Sequence, residues 1–396
     1  MSRLWEKGQP IDAAVLAYTV GEDCRLDERL VAHDVRASIA HAEGLARRGL
    51  LAPADLDAIR AGLAALAEEH ARGLWRIAPE EEDVHTALEN RLVARVGPAG
   101  ARLHLGRSRN DQVLAALRLY LRDAVGALAE GAEAVAAALG EVAARQGEVA
   151  LPGYTHTRPA MPSSVALWCG GFAAELADDA EGLRAARRRL SRSPLGSAAG
   201  YGAAPLDLDR AGVAAALGFA GAQEPVTAVQ LSRGKGEAQV LFELALLAND
   251  LSRLAADLVL FSAPEYGFVE LPPETTTGSS VMPHKRNPDL WELVRARAAG
   301  ALARLVEALA LPAKLTSGYH RDLQLLKAPL FAGIDDAAAT LALVAAVLPR
   351  IAFRPDRIRM APELWAAARA YRLVLDEGIP FREAYRRVAA ELARGE

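Results

Sequence analysis

The stretch Thr275 to Glu292, T-T-T-G-S-S-V-M-P-H-K-R-N-P-D-L-W-E, decides how the rest of the chain is read. Its first half is small and flexible: three threonines, Gly278, then the adjacent hydroxyls of Ser279 and Ser280. Glycine adopts backbone angles that other residues resist, so the start of the segment is free to move. Lys285 and Arg286 place two positive charges a few residues beyond the serines. Asn287-Pro288-Asp289 then reads as a helix start, with an Asn side chain able to cap, Pro suited to the first position and an acid in the first turn. Glu292 falls early in that helix. Composition alone favours a polar surface loop before an ordinary capped helix. A hydroxyl loop, a cation and a helix-anchored carboxylate in this order favour a site.

The chain around it has 396 residues, enough for a large core and more than one domain. A formal net charge of −4 argues against nucleic acid or an anionic membrane as partner. Two cysteines, Cys24 and Cys169, are too few for a disulfide framework or a cysteine-based zinc site. The start, M-S-R-L-W-E-K, has no apolar signal core, and no uninterrupted apolar run approaches bilayer-spanning length. These features predict a soluble protein of a reducing compartment, the cytoplasm.

Prolines map the helices, because an interior proline breaks or kinks one. Proline-free stretches rich in Ala and Leu run from Ala99 to Leu151, Ser163 to Ser193, Val226 to Ala263, Asp289 to Leu311 and Leu330 to Leu348. Leu114, Leu117, Leu121, Val125 and Leu128 form one apolar face at helical spacing, and nothing comparable alternates with period two. The expected fold is mainly α: an N-terminal helical domain (1–105), a central bundle of long helices (106–349) and a short C-terminal helical domain (350–396). Apolar residues on more than one face, as in L-F-E-L-A-L-L-A-N-D-L from Leu241, suggest helices that also pack against other copies of the chain.

Four further stretches carry chemistry. Glu82-Asp83-Val84-His85-Thr86 precedes G-R-S-R-N-D-Q (106–112), where Ser108, Arg109 and Asn110 at a helix start offer N–H groups, a guanidinium fork and an amide to a carboxylate. L-P-G-Y-T-H-T-R-P (151–159) sets Thr155 and His156 in a break between two long helices, where sites tend to be built. Tyr319, Gln324 and Lys327 lie in a polar connection, S-G-Y-H-R-D-L-Q-L-L-K, and serve either a polar ligand or hydration. L-G-S-A-A-G (195–200) is a small-residue turn, read as tight packing.

Gly278-Ser279-Ser280-x-Met282-Pro283-x-Lys285-x-Asn287-Pro288 looks like the mobile loop of the aspartase/fumarase superfamily. With G-R-S-R-N-D-Q and P-G-Y-T-H, the chain from Trp5 to about Leu348 resembles the argininosuccinate lyases. The resemblance implies cleavage of argininosuccinate to arginine and fumarate without metal or organic cofactor, by a homotetramer whose active sites are shared between subunits. It implies Ser279 as base, His156 paired with Glu292, and Lys285 and Asn287 lining the site. Ser108, Arg109, Asn110, Thr155, Tyr319, Gln324, Lys327 and His85 would bind substrate. Four features depart from the family pattern: its usual Ser-Asp-Arg-Asp is here Ser232-Arg233-Gly234-Lys235, Asp23 stands where a Ser is common, His284 stands where Gln is common, and the region after Pro349 is short. A related fumarate-releasing lyase for another N-succinyl amine, or a catalytically silent crystallin-like homologue, are the alternative readings.

Overall fold

The computed structural model describes residues 11–394. Residues 1–10, which include Trp5 and the start of the expected N-terminal domain, and 395–396 lie outside the described residues. The architecture is mainly helical, as expected. Three early helices, α1 (Val31–Arg47), α2 (Pro53–Ala71) and α3 (Val84–Val96), precede long helices α4 (Arg109–Gln146), α5 (Val165–Arg189), α6 (Lys235–Ser262), α7 (Asp289–Ala310) and α8 (Lys327–Val347). A pair of shorter helices, α9 (Ala366–Glu377) and α10 (Phe381–Arg394), closes the chain around Ala370, Ala384 and Val388.

The residues divide into two compact units. Of the described residues, the first holds 11–129, Glu181–Ala245 and Gly300–Asp336; the second holds Glu130–Ala180, Leu246–Ala299 and 337–394. In the first, α1 and α4 meet through Ala37, Ala40, Ala115 and Leu119, with Val213 and Phe219 packed in the same cluster. In the second, Trp168 packs edge-on against Phe172 and Phe353 and donates its indole N–H to Asp257 at 2.9 Å. The apolar face of α4, Leu114 through Leu128, is buried as its spacing predicts.

Two local expectations change. The break after α4 is a β-hairpin, β1 (Ala150–Thr155) against β2 (Arg158–Ser164), although no period-two pattern announces it. Helix α8 begins at Lys327, ahead of Pro329, because a proline in the first turn removes only an N–H that has no helical partner. The stretch Arg321–Arg350 is long and apolar enough by composition to cross a bilayer, although Asp335 and Asp336 interrupt its apolar run. It is a core element: Leu330, Phe331, Leu341 and Val344 are buried, and Asp335 pairs with Arg29 at 2.9 Å and Asp336 with Arg304 at 2.7 Å. Two consecutive acids so paired would be costly in a membrane.

Candidate active site

In the first unit, a recess gathers His85, Arg109, Asn110, Tyr319, Gln324 and Lys327, residues drawn from three separate stretches of sequence. The short helix Asp23–Asp27 places its two terminal acids one turn apart, on one face. Lys327, buried at the start of α8, lies between them, 2.9 Å from Asp23 Oδ2 and 2.6 Å from Asp27 Oδ1. Burial raises the Asp23 carboxyl to about 6 against the opposing pull of Lys327, and Asp27 raises it further. Gln324 spends its amide N–H groups on the carbonyls of Thr19 and Val20, at 3.0 and 3.2 Å, which leaves its own carbonyl oxygen for a ligand.

Asp83 caps α3 by accepting from Thr86 N at 2.9 Å and also binds the Arg109 fork, whose other arm donates to Glu82 at 3.3 Å. His85 forms a buried ion pair through Nδ1 with Asp34. Burial opposes the charge on the imidazole, but Asp34 and Asp83 outweigh it and raise its pKa; the Asp34 carboxyl is held down by His85 despite its own burial. The recess has room for little more than a water molecule, about 20 Å³, so its side chains fill it.

The G-R-S-R-N-D-Q segment is fixed from below by Asp111. One carboxylate oxygen accepts from Ser108 N at 3.0 Å, and the other accepts from Gly196 N at 3.0 Å and Ala198 N at 2.9 Å. The small-residue turn at 195–200 is therefore a cradle for this carboxylate. A Cβ at Gly196 would come within 2.7 Å of the Arg210 side chain, on a backbone with φ +79°. Gly234, φ +84°, excludes a side chain in the same way, because a Cβ there would meet Pro312 at 2.8 Å. The guanidinium missing at 234 is present at 233: Arg233 is buried, lines the recess and donates to the Leu323 carbonyl at 3.3 Å, whereas Lys235 lines a different cavity.

The second unit carries Thr155, His156, Ser279, Lys285, Asn287 and Glu292. His156 and Thr157 form the two-residue hairpin turn with φ +53° and +59°. Two left-handed residues fit the type I′ turn, which normally takes Asn or Gly; here the exposed imidazole is held at the tip at some backbone cost. The 278–286 loop is pinned at its base where Thr277 and Asn287 exchange backbone hydrogen bonds at 3.2 and 2.8 Å. Asn287 thus closes the loop rather than capping α7: its side-chain amide donates to the Gly278 carbonyl at 3.4 Å, and Pro288 stands immediately before the helix. Inside the loop, Ser279 Oγ accepts N–H groups from Val281 at 3.2 Å and Met282 at 3.1 Å. Buried Trp291 and Val294 anchor the start of α7 and leave Glu292 exposed. No hydrogen bond or ion pair joins His156 to Glu292 among the described residues. Nor do these hold any group of three His, Cys, Asp or Glu side chains arranged for a metal.

A protein-family model described as Lyase matches residues 8–302. An argininosuccinate lyase from Sorangium cellulosum is 50% identical over 99% of this chain and 91% of its own length. The chain belongs to the argininosuccinate lyase family. Another member, from Thermotoga neapolitana, is 42% identical over 99% of this chain and 98% of its own length. Among solved structures, EDDS lyase in complex with formate has a TM-score of 0.78 at 26% identity, covering 98% of this chain and 78% of that one. Class II fumarase from Schistosoma mansoni has a TM-score of 0.79 at 16% identity, covering 96% and 89%, and shares the fold.

The sequence reading noted Asp23 and the Asp83 stretch without giving either acid a role, and missed Asp27 in the recess of this family member and Asp34 behind His85. Asp27, Asp34 and Asp83 have buried side chains, where composition places an aspartate in water. The spacing Asp23–Asp27, four residues apart just before an apolar helix, is the one signal that could have exposed part of the cluster.

Proposed function

We propose that the protein splits argininosuccinate into arginine and fumarate by general acid/base β-elimination, in the cytoplasm, as a homotetramer whose active sites are shared between subunits. Ser279 removes a proton from the succinyl carbon beside a carboxylate. The C–N bond breaks, the carbon pair becomes the double bond of fumarate, and the departing guanidino nitrogen takes a proton. The observation that carries this reading is the setting of Ser279. Its oxygen receives two backbone N–H groups, a geometry that favours the alkoxide a serine needs to act as base, on the same pinned loop as Lys285.

Negative charge building on the succinyl carboxylate is met by Lys285, Asn287 and the Thr155 region. His156, oriented by Glu292 across a subunit boundary, supplies the proton to the leaving group. Ser108, Arg109, Asn110, Tyr319, Gln324, Lys327 and His85, joined by Arg233, hold the substrate. The pairing of acids and cations in their recess suits a zwitterionic amino-acid end.

The test is direct: purified protein given argininosuccinate should release fumarate and arginine in equal amounts. Arg233 and Asp23 at this recess favour a second reading, a different N-succinyl amine as substrate. Fumarate released from such an amine, with argininosuccinate left intact, would replace the first reading by the second.

A further inference from the structure

A cavity of about 410 Å³ opens in the first unit between α4, the C-terminal end of α5 and the corner where residues 228–237 lead into α6. Its charged lining is one-sided: Arg118, Arg189, Arg192 and Lys235 against Glu237 alone. That carboxylate is already engaged. One oxygen accepts from Gly234 N at 2.9 Å, and the other lies 3.5 Å from Arg233 Nε. Arg189, Arg192 and Lys235 are exposed, and none of the three is ion-paired among the described residues.

Arg118 differs from those three. It is buried, and its guanidinium donates only to neutral oxygens: the Arg192 carbonyl and Gln223 Oε1, both at 2.6 Å, and Ser232 Oγ at 2.7 Å. Burial pushes it down to about 10 against the pull of Glu237, a carboxylate it does not contact, and the neighbouring charge of Arg233 lowers it further. Buried charges in folded proteins are ordinarily paired, because desolvating an unpaired ion is expensive. Here the side that could supply the counter-charge is an open cavity walled by three further cations.

We propose that this cavity binds a small, multiply charged oxyanion, and that the bound anion balances Arg118. Guanidinium forks match phosphate and carboxylate oxygens, and Leu114, Leu117 and Leu121 along α4 offer apolar wall to the body of such a ligand. The site is separate from the Lys327 recess and does not depend on the reaction proposed above.

Isothermal titration of the full chain with pyrophosphate and with citrate, at fixed ionic strength, tests this. Saturable binding of at least one is expected, and the stronger of the two tells a phosphate site from a carboxylate site. Lys235→Glu and Arg192→Glu, both at exposed side chains, should each weaken binding by at least about tenfold, the equivalent of one charge-assisted hydrogen bond. Arg109→Gln, in the recess, should leave it unchanged. Absence of saturable binding, binding indifferent to both charge reversals, or binding lost with Arg109→Gln instead would each overturn the proposal.

Discussion

Lys327→Met tests the electrostatic account of the recess. Lys327 and Asp27 are buried and 2.6 Å apart, with Asp23 2.9 Å away on the other side. Removing the ammonium leaves two desolvated carboxyls facing each other, and breaking a buried pair of this kind costs about 3–5 kcal/mol. The pH dependence carries the sharper signature. When folded, Asp23 keeps its proton up to about pH 6, against an ordinary value of 3.8. At this group the folded state therefore binds more protons than the unfolded state in that window, and its contribution to wild-type stability declines from about pH 4 to about pH 6, then levels. Without Lys327 the carboxyl holds its proton to higher pH, so above pH 6 the variant should lose up to about 1.4 kcal/mol per pH unit more than the wild type does. Adding Asp23→Asn to Lys327→Met should remove that extra slope. Urea unfolding followed by circular dichroism at a series of pH values measures all three proteins. Parallel curves for wild type and Lys327→Met above pH 6 would refute the reasoning.

Two further outcomes follow from the same contacts. Asp111→Ala removes the acceptor for Ser108, Gly196 and Ala198 N–H groups; with one buried and two half-buried donors left unpaired, stability should fall by about 3 kcal/mol, read as a drop in melting temperature, and KM should rise as Ser108 to Asn110 lose their footing. Asp34→Asn leaves the His85 imidazole without its ion-pair partner. The His85 pKa, raised in the wild type, should fall, so the stability gained by protonating it, present below its ordinary 6.5 and lost as pH climbs through the raised value, should shrink. Histidine C–H chemical shifts across a pH titration would show this; an unchanged His85 titration would contradict it.

The long helices were legible because proline fixes where a helix breaks and the Leu114–Leu128 face repeats at helical spacing. The Gly278 loop was legible because its residue order is rarely met by chance. What stayed hidden has physical reasons. The His156-Thr157 turn uses left-handed backbone at residues that do not advertise it, so sequence shows only a break. Asp27, Asp34 and Asp83 are buried only because distant Lys327, His85 and Arg109 neutralise them, and pairing across such separations leaves no local pattern. Asn287 reads as a helix cap, yet its backbone pairs with Thr277 because closing the loop satisfies two groups at once. Which of Arg233 and Lys235 reaches the recess was likewise invisible until the Gly234 turn, set against Pro312, fixed the direction of each.

The proton abstraction assigned to Ser279 is tested most directly by Ser279→Ala assayed for fumarate release from argininosuccinate. Its fold and oligomeric state should be unchanged, since Ser279 supports only its own loop. A fall in kcat of about a thousandfold is expected, within the range for loss of a positioned base. A folded Ser279→Ala protein that keeps kcat within about tenfold of wild type, less than loss of any positioned base should cost, would contradict the account.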